Sequence, residues 1–364
     1  MSTSPEIHVV RPIEASDLEG FFALAEISGP GFTSLQADRK YLSEYIQASG
    51  ESFANPDVNL AQKFLLVMEE VSSGKIIGCA AVKTKIGTQT PFVDLVMKDG
   101  RGEPVNDERQ AVYLDPASTF DGATEVGSLF MHPDHRKGGL GRYLAKSRYL
   151  LIGTSPEVFS SPIIAELRGM QDVDGKSPFY THQHRDRLQK TFEEADEFIT
   201  NADTEAWKSV VPTSPIVVEN LPPQVRDCIG QPHRSGVGAY HLLRKEGFVK
   251  TGVVDLFDAG PIMMSDFENI STIRESVDCR LNIKGQVQSS DTVMIGVDSL
   301  SNFRAVIGSF ESESERVSVT AEAAIALNVQ DGSQVKSWTA KQSFDESSSD
   351  IKRVSDSKKA EELQ

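Results

Sequence analysis

The stretch EVGSLFMHPDHRKGGLGRYLAKSRYLLI, residues 125–152, decides the fold. It opens on a run of apolar and small residues with the length and content of a buried strand. A glycine-rich basic turn follows, Arg136-Lys137-Gly138-Gly139-Leu140-Gly141. The turn opens a helix in which Leu140, Leu144 and Leu151 share one face, with Tyr143 and Leu150 beside it. Glycines between a strand and a helix let the backbone come close to a ligand. The first N–H groups of the helix have no intrahelical partner, and the helix dipole adds positive potential there. Together they make a seat for an anion, naturally a pyrophosphate, with Arg136, Lys137 and Arg142 as added point charges. An ordinary glycine turn bordered by solvated basic residues reads the same way from spacing alone. A dinucleotide site is less well supported, because G-x-G-x-x-G is absent and no acidic residue follows at the right distance.

Working outward, residues 7–13 read as a strand closed by Pro12. A helix with Ser16 as its N-cap follows, then a second helix over 36–48. Two strands, 63–70 and 75–84, flank the hairpin residues Ser72-Ser73-Gly74. Residues 85–124 are expected to hold one strand and a variable loop. Downstream, the pattern predicts a strand over 163–169, helical stretches at 186–200 and 202–210, and a helix over 238–248 stopped by Gly247. A strand pair comes next. From about residue 279, short alternating runs are punctuated by Ser, Asp and Gly. The expected organisation is therefore a main domain over 1–278, a small β-barrel-like subdomain over 279–340, and a tail over 341–364. The tail is Ser- and charge-rich and is expected to be disordered.

The 364 residues carry 37 Lys+Arg against 53 Asp+Glu, a formal charge of −16. Such a balance argues against a phosphate-backbone binder, which gains affinity by placing cations on phosphates, so no nucleic-acid partner is expected. Cys79, Cys228 and Cys279 are widely spaced without a CxxC and read as small buried thiols in a reducing compartment. No apolar run approaches the roughly 20 residues of a membrane span, and a cytoplasmic location with no membrane partner is expected. His182 and His184 form an H-x-H pair, but no Cys or carboxylate follows at metal spacing, so no metal site is expected.

The arrangement Arg-x-x-Gly-x-Gly after a strand, at Arg136, Gly139 and Gly141, resembles the acyl-CoA pyrophosphate loop of the GCN5-related N-acyltransferases. Five blocks resemble the arginine N-succinyltransferase family more closely. They are GPGFTSL (29–35), SLFMHPDHRKGGLGRYLAKSR (128–148), AELRGMQDVDGKSPFY (165–180), IGQPHRSGVGAYHLLRKEGF (229–248) and FDAGPIMMSDFENISTIRES (257–276). The resemblance implies an α+β fold with a mixed, splayed sheet and flanking helices, CoA entering between two diverging strands, and a small C-terminal β-rich subdomain. It implies transfer of the succinyl group of succinyl-CoA to the α-amine of L-arginine, with succinyl-CoA as co-substrate and no permanently bound cofactor. It also implies that His233 donates the proton, that Leu129 contacts succinyl-CoA, and that Arg136, Gly139, Gly141 and Arg142 serve the CoA phosphates.

Chemically, an imidazole titrates nearest neutrality and can protonate a departing thiolate. Arginine asks for carboxylates around its guanidinium and a cation for its α-carboxylate. Glu125, Glu166 and Arg168 are the candidates, although an internal Glu166–Arg168 ion pair would use the same residues. Asp255 and Asp258 carry no assignment. The rival reading is a non-catalytic or partner subunit of a heteromeric arginine/ornithine succinyltransferase. A homo-oligomer, or pairing with a homologous subunit, is compatible with both readings, and ornithine is the nearest alternative acceptor.

Overall fold

The computed structural model describes residues 6–29, 35–172, 175–200, 204–287, 289, 292–313 and 315–340. Four adjacent antiparallel strands form the centre: His8–Pro12, Lys63–Glu70, Lys75–Lys83 and Thr124–Met131. Alternation along them sorts side chains onto two covered faces. Leu65, Val67, Cys79 and Ala81 meet Phe21, Leu24, Leu42 and Ile46 of the helices Leu18–Ser28 and Arg39–Ala54. Phe64, Leu66, Met68 and Ala80 belong to the opposite core, with Tyr143, Leu144 and Leu151 of the helix Leu140–Thr154.

Thr124–Met131 then runs parallel to Ile163–Glu166, but the pairing lasts for only Thr124↔Ile163 and Glu125↔Ile164. Beyond Glu125 the two strands part, which is the expected splay. Ile163–Glu166 continues instead into an antiparallel array of Pro261–Ser265, Val249–Asp255, Asp94–Lys98, Tyr113–Ala117 and Ile216–Val217. At the other edge, Ala305–Ser309 pairs with His8–Pro12 and ties in Thr292–Val297, Gln334–Thr339, Val277–Ile283, Arg316–Val319 and Glu311–Glu313. In this C-terminal part Cys279, Leu281, Val293, Val317 and Val335 pack against the helix Ala321–Leu327, in a core that Ile7 and Val9 share. No described helix is long and apolar enough to cross a membrane.

Several elements differ from expectation. The first helix is capped at Asp17 rather than Ser16, because Ala15–Asp17 forms a separate 3-10 turn. The second starts at Arg39, where the Asp38 side chain accepts from Tyr41 N at 2.7 Å, and it runs on to Ala54 because Phe53 is buried. The 85–124 stretch holds two strands, not one. The strand expected over 163–169 stops at Glu166, and the Gly169 N–H turns to the Asp258 carboxylate at 2.7 Å. The tail over 341–364 and residues 30–34 of the first family-like block lie outside the described residues.

The largest difference concerns the Leu140–Thr154 helix. Its sequence promises one apolar face, yet every residue from Tyr143 to Ile152 is buried. The second side is closed by Thr292–Val297, where a Cβ on Gly296 would come within 3.2 Å of Leu150, and by the short helix Ser271–Glu275. Covering that side buries Lys146, which is neutralised by Glu246. The Glu246 carboxylate also accepts from Thr272 N at 3.0 Å, Thr272 Oγ1 at 2.8 Å and Ser271 Oγ at 3.0 Å. The Trp338 ring caps the ammonium at 4.2 Å. Glu246→Ala is therefore expected to cost about 3–5 kcal/mol, the range for stranding a buried charge. The double change Lys146→Met with Glu246→Leu should recover most of that loss. Urea unfolding of the three variants measures both effects.

Candidate active site

A cavity of about 880 Å³ occupies the parting of the strands. Residues 125–129 line one wall and 165–168 the other, with side chains of the Leu140–Thr154 helix between them. Gly138 and Gly139 precede this helix with φ of 63° and 77°, in the left-handed region that disfavours any Cβ. Gly139 is the N-cap, and a Cβ there would meet Arg142 and Tyr143 at 3.3 Å. Gly141 lies inside the first turn, where an added Cβ would point into open space. Arg142 reaches the cavity. Arg136 does not line it. Its Nε donates to Met131 O at 3.0 Å and its guanidinium lies 5.5 Å from the Phe130 ring, which braces the strand end. Gly138 was not singled out from the sequence, although the Gly-Gly pair marked it.

Leu129 lines the cavity and packs its side chain against the core. Its neighbour Ser128 has a φ of 48°, and the ladder to Lys75–Lys83 shifts register between Cys79 and Ala81. The strand wall is therefore kinked beside Leu129.

The carboxylates gather on one sheet face. Glu125 stands opposite Ile164, two residues before Glu166, and Asp94 stands directly opposite Asp255. All four line the cavity. Lys83 Nζ takes up Glu125 at 3.0 Å. Glu166 pairs with no cation among the described residues, so the internal Glu166–Arg168 ion pair is not formed. Asp94 is 1% exposed and its Oδ2 has no hydrogen-bond partner. Burial, and then the charge of Asp255, push both the Asp94 and Glu166 carboxyls well above the usual range. Asp258 is also raised by burial, but it accepts from Gly169 N and Gly260 N and so holds a loop. Arg168 lies at the end of this wall, its guanidinium disfavoured by burial. Asp94 is not visible from the sequence and Asp255 carries no assignment there, because only the Asp94–Lys98/Val249–Asp255 register brings them together.

His233 sits beside the cavity. Its N–H donates to Arg168 O at 2.7 Å, and its neighbours Ser235 and Gly236 line the wall, while the His233 side chain does not. Ser235 N donates to Nδ1 at 3.3 Å, and Ser235 Oγ lies 2.7 Å from the same nitrogen. Partial burial, and then Arg168 and Arg234, lower its pKa. His184 is fully buried, bonds Leu256 O through Nε2 at 2.8 Å and is pulled down to about 4 by burial, so it serves packing. Glu6, His8 and Glu70 bring potential ligand atoms within 4.8 Å of one another, but Ser72 and Ser73 already donate to the two carboxylates, and the trio lies outside the cavity lining.

A sheet parted at a parallel pair, with a glycine-capped helix start beside the gap, suits a polyanionic ligand, and similarity to known proteins makes the chain a CoA-dependent N-acyltransferase. The family described as arginine N-succinyltransferase beta subunit matches residues 8–272, and its C-terminal domain matches 277–339. Arginine N-succinyltransferase of Photorhabdus laumondii is 29% identical over 333 residues, covering 90% of this chain and 96% of the relative. Arginine N-succinyltransferase subunit beta of Pseudomonas aeruginosa is 31% identical over 271 residues, covering 74% and 79%. The solved structure of arginine/ornithine succinyltransferase subunit AI from Pseudomonas aeruginosa superposes with a TM-score of 0.79 at 26% identity, covering 92% of this chain and 98% of that one. The chain belongs to the arginine N-succinyltransferase beta subunit family.

The raised carboxyls also set a pH dependence. Protons bound by Asp94 and Glu166 in the fold are released on unfolding, so ligand-free stability should fall as pH rises from about 4 through the raised folded values. Asp94→Asn is expected to raise the ligand-free Tm at pH 8 more than at pH 5. It should also weaken L-arginine binding about 10- to 100-fold, the value of a hydrogen bond to a charged group. Scanning calorimetry with and without arginine tests both. A lower Tm for the variant at pH 8 would refute this account of the cluster.

Proposed function

We propose that this chain transfers the succinyl group of succinyl-CoA to the α-amine of L-arginine, by direct attack within a ternary complex. The observation that carries the reading is the meeting, in one cavity, of Arg142, from the first turn of a glycine-capped helix, with buried carboxylates that lack a cation. The first suits a polyanionic acyl carrier and the second a cationic acceptor. The pyrophosphate lies at the Gly138–Gly139 turn with Arg142 beside it, and the pantetheine arm follows the strand edge freed beyond Glu125. Backbone groups near Leu129 face the thioester, where polar donors stabilise the developing oxyanion.

Glu166, Asp94 and Asp255 receive the guanidinium, whose five donors and very high pKa keep it charged in a dry pocket where an ammonium more readily sheds its proton. Arg168 lies within reach of the acceptor's α-carboxylate. His233 acts as the imidazolium, protonating the leaving thiolate and returning to the neutral ring, and the proton shed by the attacking α-amine makes good the one it gives up. Succinyl-CoA is a co-substrate, and no resident cofactor takes part. The three cysteines are free and buried, in keeping with work in the cytoplasm. Because relatives are named as subunits, association with a second copy or a homologous chain accompanies this reading, and light scattering tests it.

Thiol release should be fastest with succinyl-CoA and L-arginine among pairs of succinyl- or acetyl-CoA with arginine, ornithine or lysine. No release with any pair would favour a non-catalytic partner subunit. His233→Ala should lower kcat by about 10²–10⁴-fold, the usual worth of a general acid. CoA binding should hold, because the ring does not line the cavity. Unchanged turnover would remove His233 from the proton transfer.

A further inference from the structure

Three cations are buried among the described residues: Arg11, Lys146 and Arg148. Arg11 is held by Asp17 and Glu69, and Lys146 by Glu246. Arg148, 4% exposed, has no carboxylate within 4 Å. Its Nε donates to Ala145 O at 3.2 Å and its Nη1 reaches Gly127 O at 3.4 Å. Glu125 and Glu246 act on it only at longer range, and each is already engaged by a lysine. A buried guanidinium without a counter-ion is strongly disfavoured. Arg148 lines the cavity, so a bound anion can supply what the protein does not.

Position identifies that anion. Arg148 lies about 12 Å down the helix from its phosphate-ready start. It touches the strand wall at Gly127, two residues from Leu129, which is about 7 Å along a strand. From a thioester carbonyl beside Leu129, the three C–C bonds of a succinyl chain span about 4 Å, and a charge-assisted hydrogen bond adds about 2.8 Å. The reach matches the separation. We infer that Arg148 binds the terminal carboxylate of the acyl group and so selects a dicarboxylic acyl-CoA over a neutral one. This assignment rests on the transfer reaction above and adds its acyl specificity. The same chemistry would suit the acceptor's α-carboxylate, and the test separates the two.

Succinyl-CoA is compared with butyryl-CoA, a neutral chain of equal length, in calorimetric binding and in turnover. Arginine is compared with agmatine, which lacks the α-carboxylate. For Arg148→Met, succinyl-CoA affinity and kcat/KM should fall about 100-fold, as when one partner of a buried charge pair is removed. Butyryl-CoA should change little, and the arginine-to-agmatine ratio should stay at its original value. Arg148→Lys keeps a charge but loses the planar fork, and should reduce the succinyl preference about tenfold. This variant decides the matter should Arg148→Met fail to fold. Equal losses with both thioesters would make Arg148 a packing residue. Collapse of the arginine preference over agmatine, with succinyl selectivity intact, would move it to the acceptor. Either result overturns the assignment, as would a wild-type protein that binds the two thioesters equally. Binding requires no acceptor. A wild-type protein that prefers succinyl-CoA yet leaves arginine unmodified would therefore remove the reaction and leave Arg148's role standing.

Discussion

Two strands agree for two residue pairs and then part. Thr124–Met131 and Ile163–Glu166 share only the register at Thr124 and Glu125, and what the cavity does follows from that brief agreement. Without it the two halves of the sheet would have no junction. If it continued, backbone groups from Val126 onward would be consumed by a ladder, and no edge would remain for a ligand arm. The partner strand meets its hydrogen-bonding needs elsewhere, through Pro261–Ser265. The same choice carries Glu166, and behind it Asp255 and Asp94, into the wedge between the halves.

The wedge carries both signs of charge. Arg142 and Arg148 of the Leu140–Thr154 helix line it together with Asp94, Glu166 and Asp255. Such a gathering inside one cavity is unfavourable in the absence of ligands, since burial penalises each charge and like charges repel. It becomes favourable when an anionic thioester and a cationic amine arrive together. The enclosing structure has to be stiff enough to hold both sets in place, and the buried Lys146–Glu246–Thr272 network provides that, joining three helices at the back of the cavity.

Local pattern made the strand–turn–helix of 125–152 legible, as well as the 63–83 hairpin and the C-terminal alternation, because each is written in residues adjacent along the chain. The phosphate seat was readable for the same reason. The carboxylate wall was only half readable: Glu125 and Glu166 lie on strongly apolar strands, whereas Asp94 sits in a weakly periodic stretch and meets Asp255 only through tertiary register. The all-round burial of the Leu140–Thr154 helix was hidden for a related reason. Lys146 and Arg148 look like solvent-facing residues until a strand and a helix from far downstream cover them. His184 shows the converse, a residue that looks like chemistry in an H-x-H pair and proves to be packing.

The pairing of His8–Pro12 with Ala305–Ser309 bears on how the molecule comes into being. His8–Pro12 is an inner strand of the finished sheet, yet one of its edges stays open until Ala305–Ser309, far downstream in the chain, emerges. Contacts so distant along the chain slow folding, and an unpaired apolar edge invites association with other nascent chains. The C-terminal strands that occupy this edge also cover the helix against which CoA is expected to lie. Maturation of the cavity and protection of the nascent sheet are thus one late event, so a prematurely ended chain would be both inactive and adhesive.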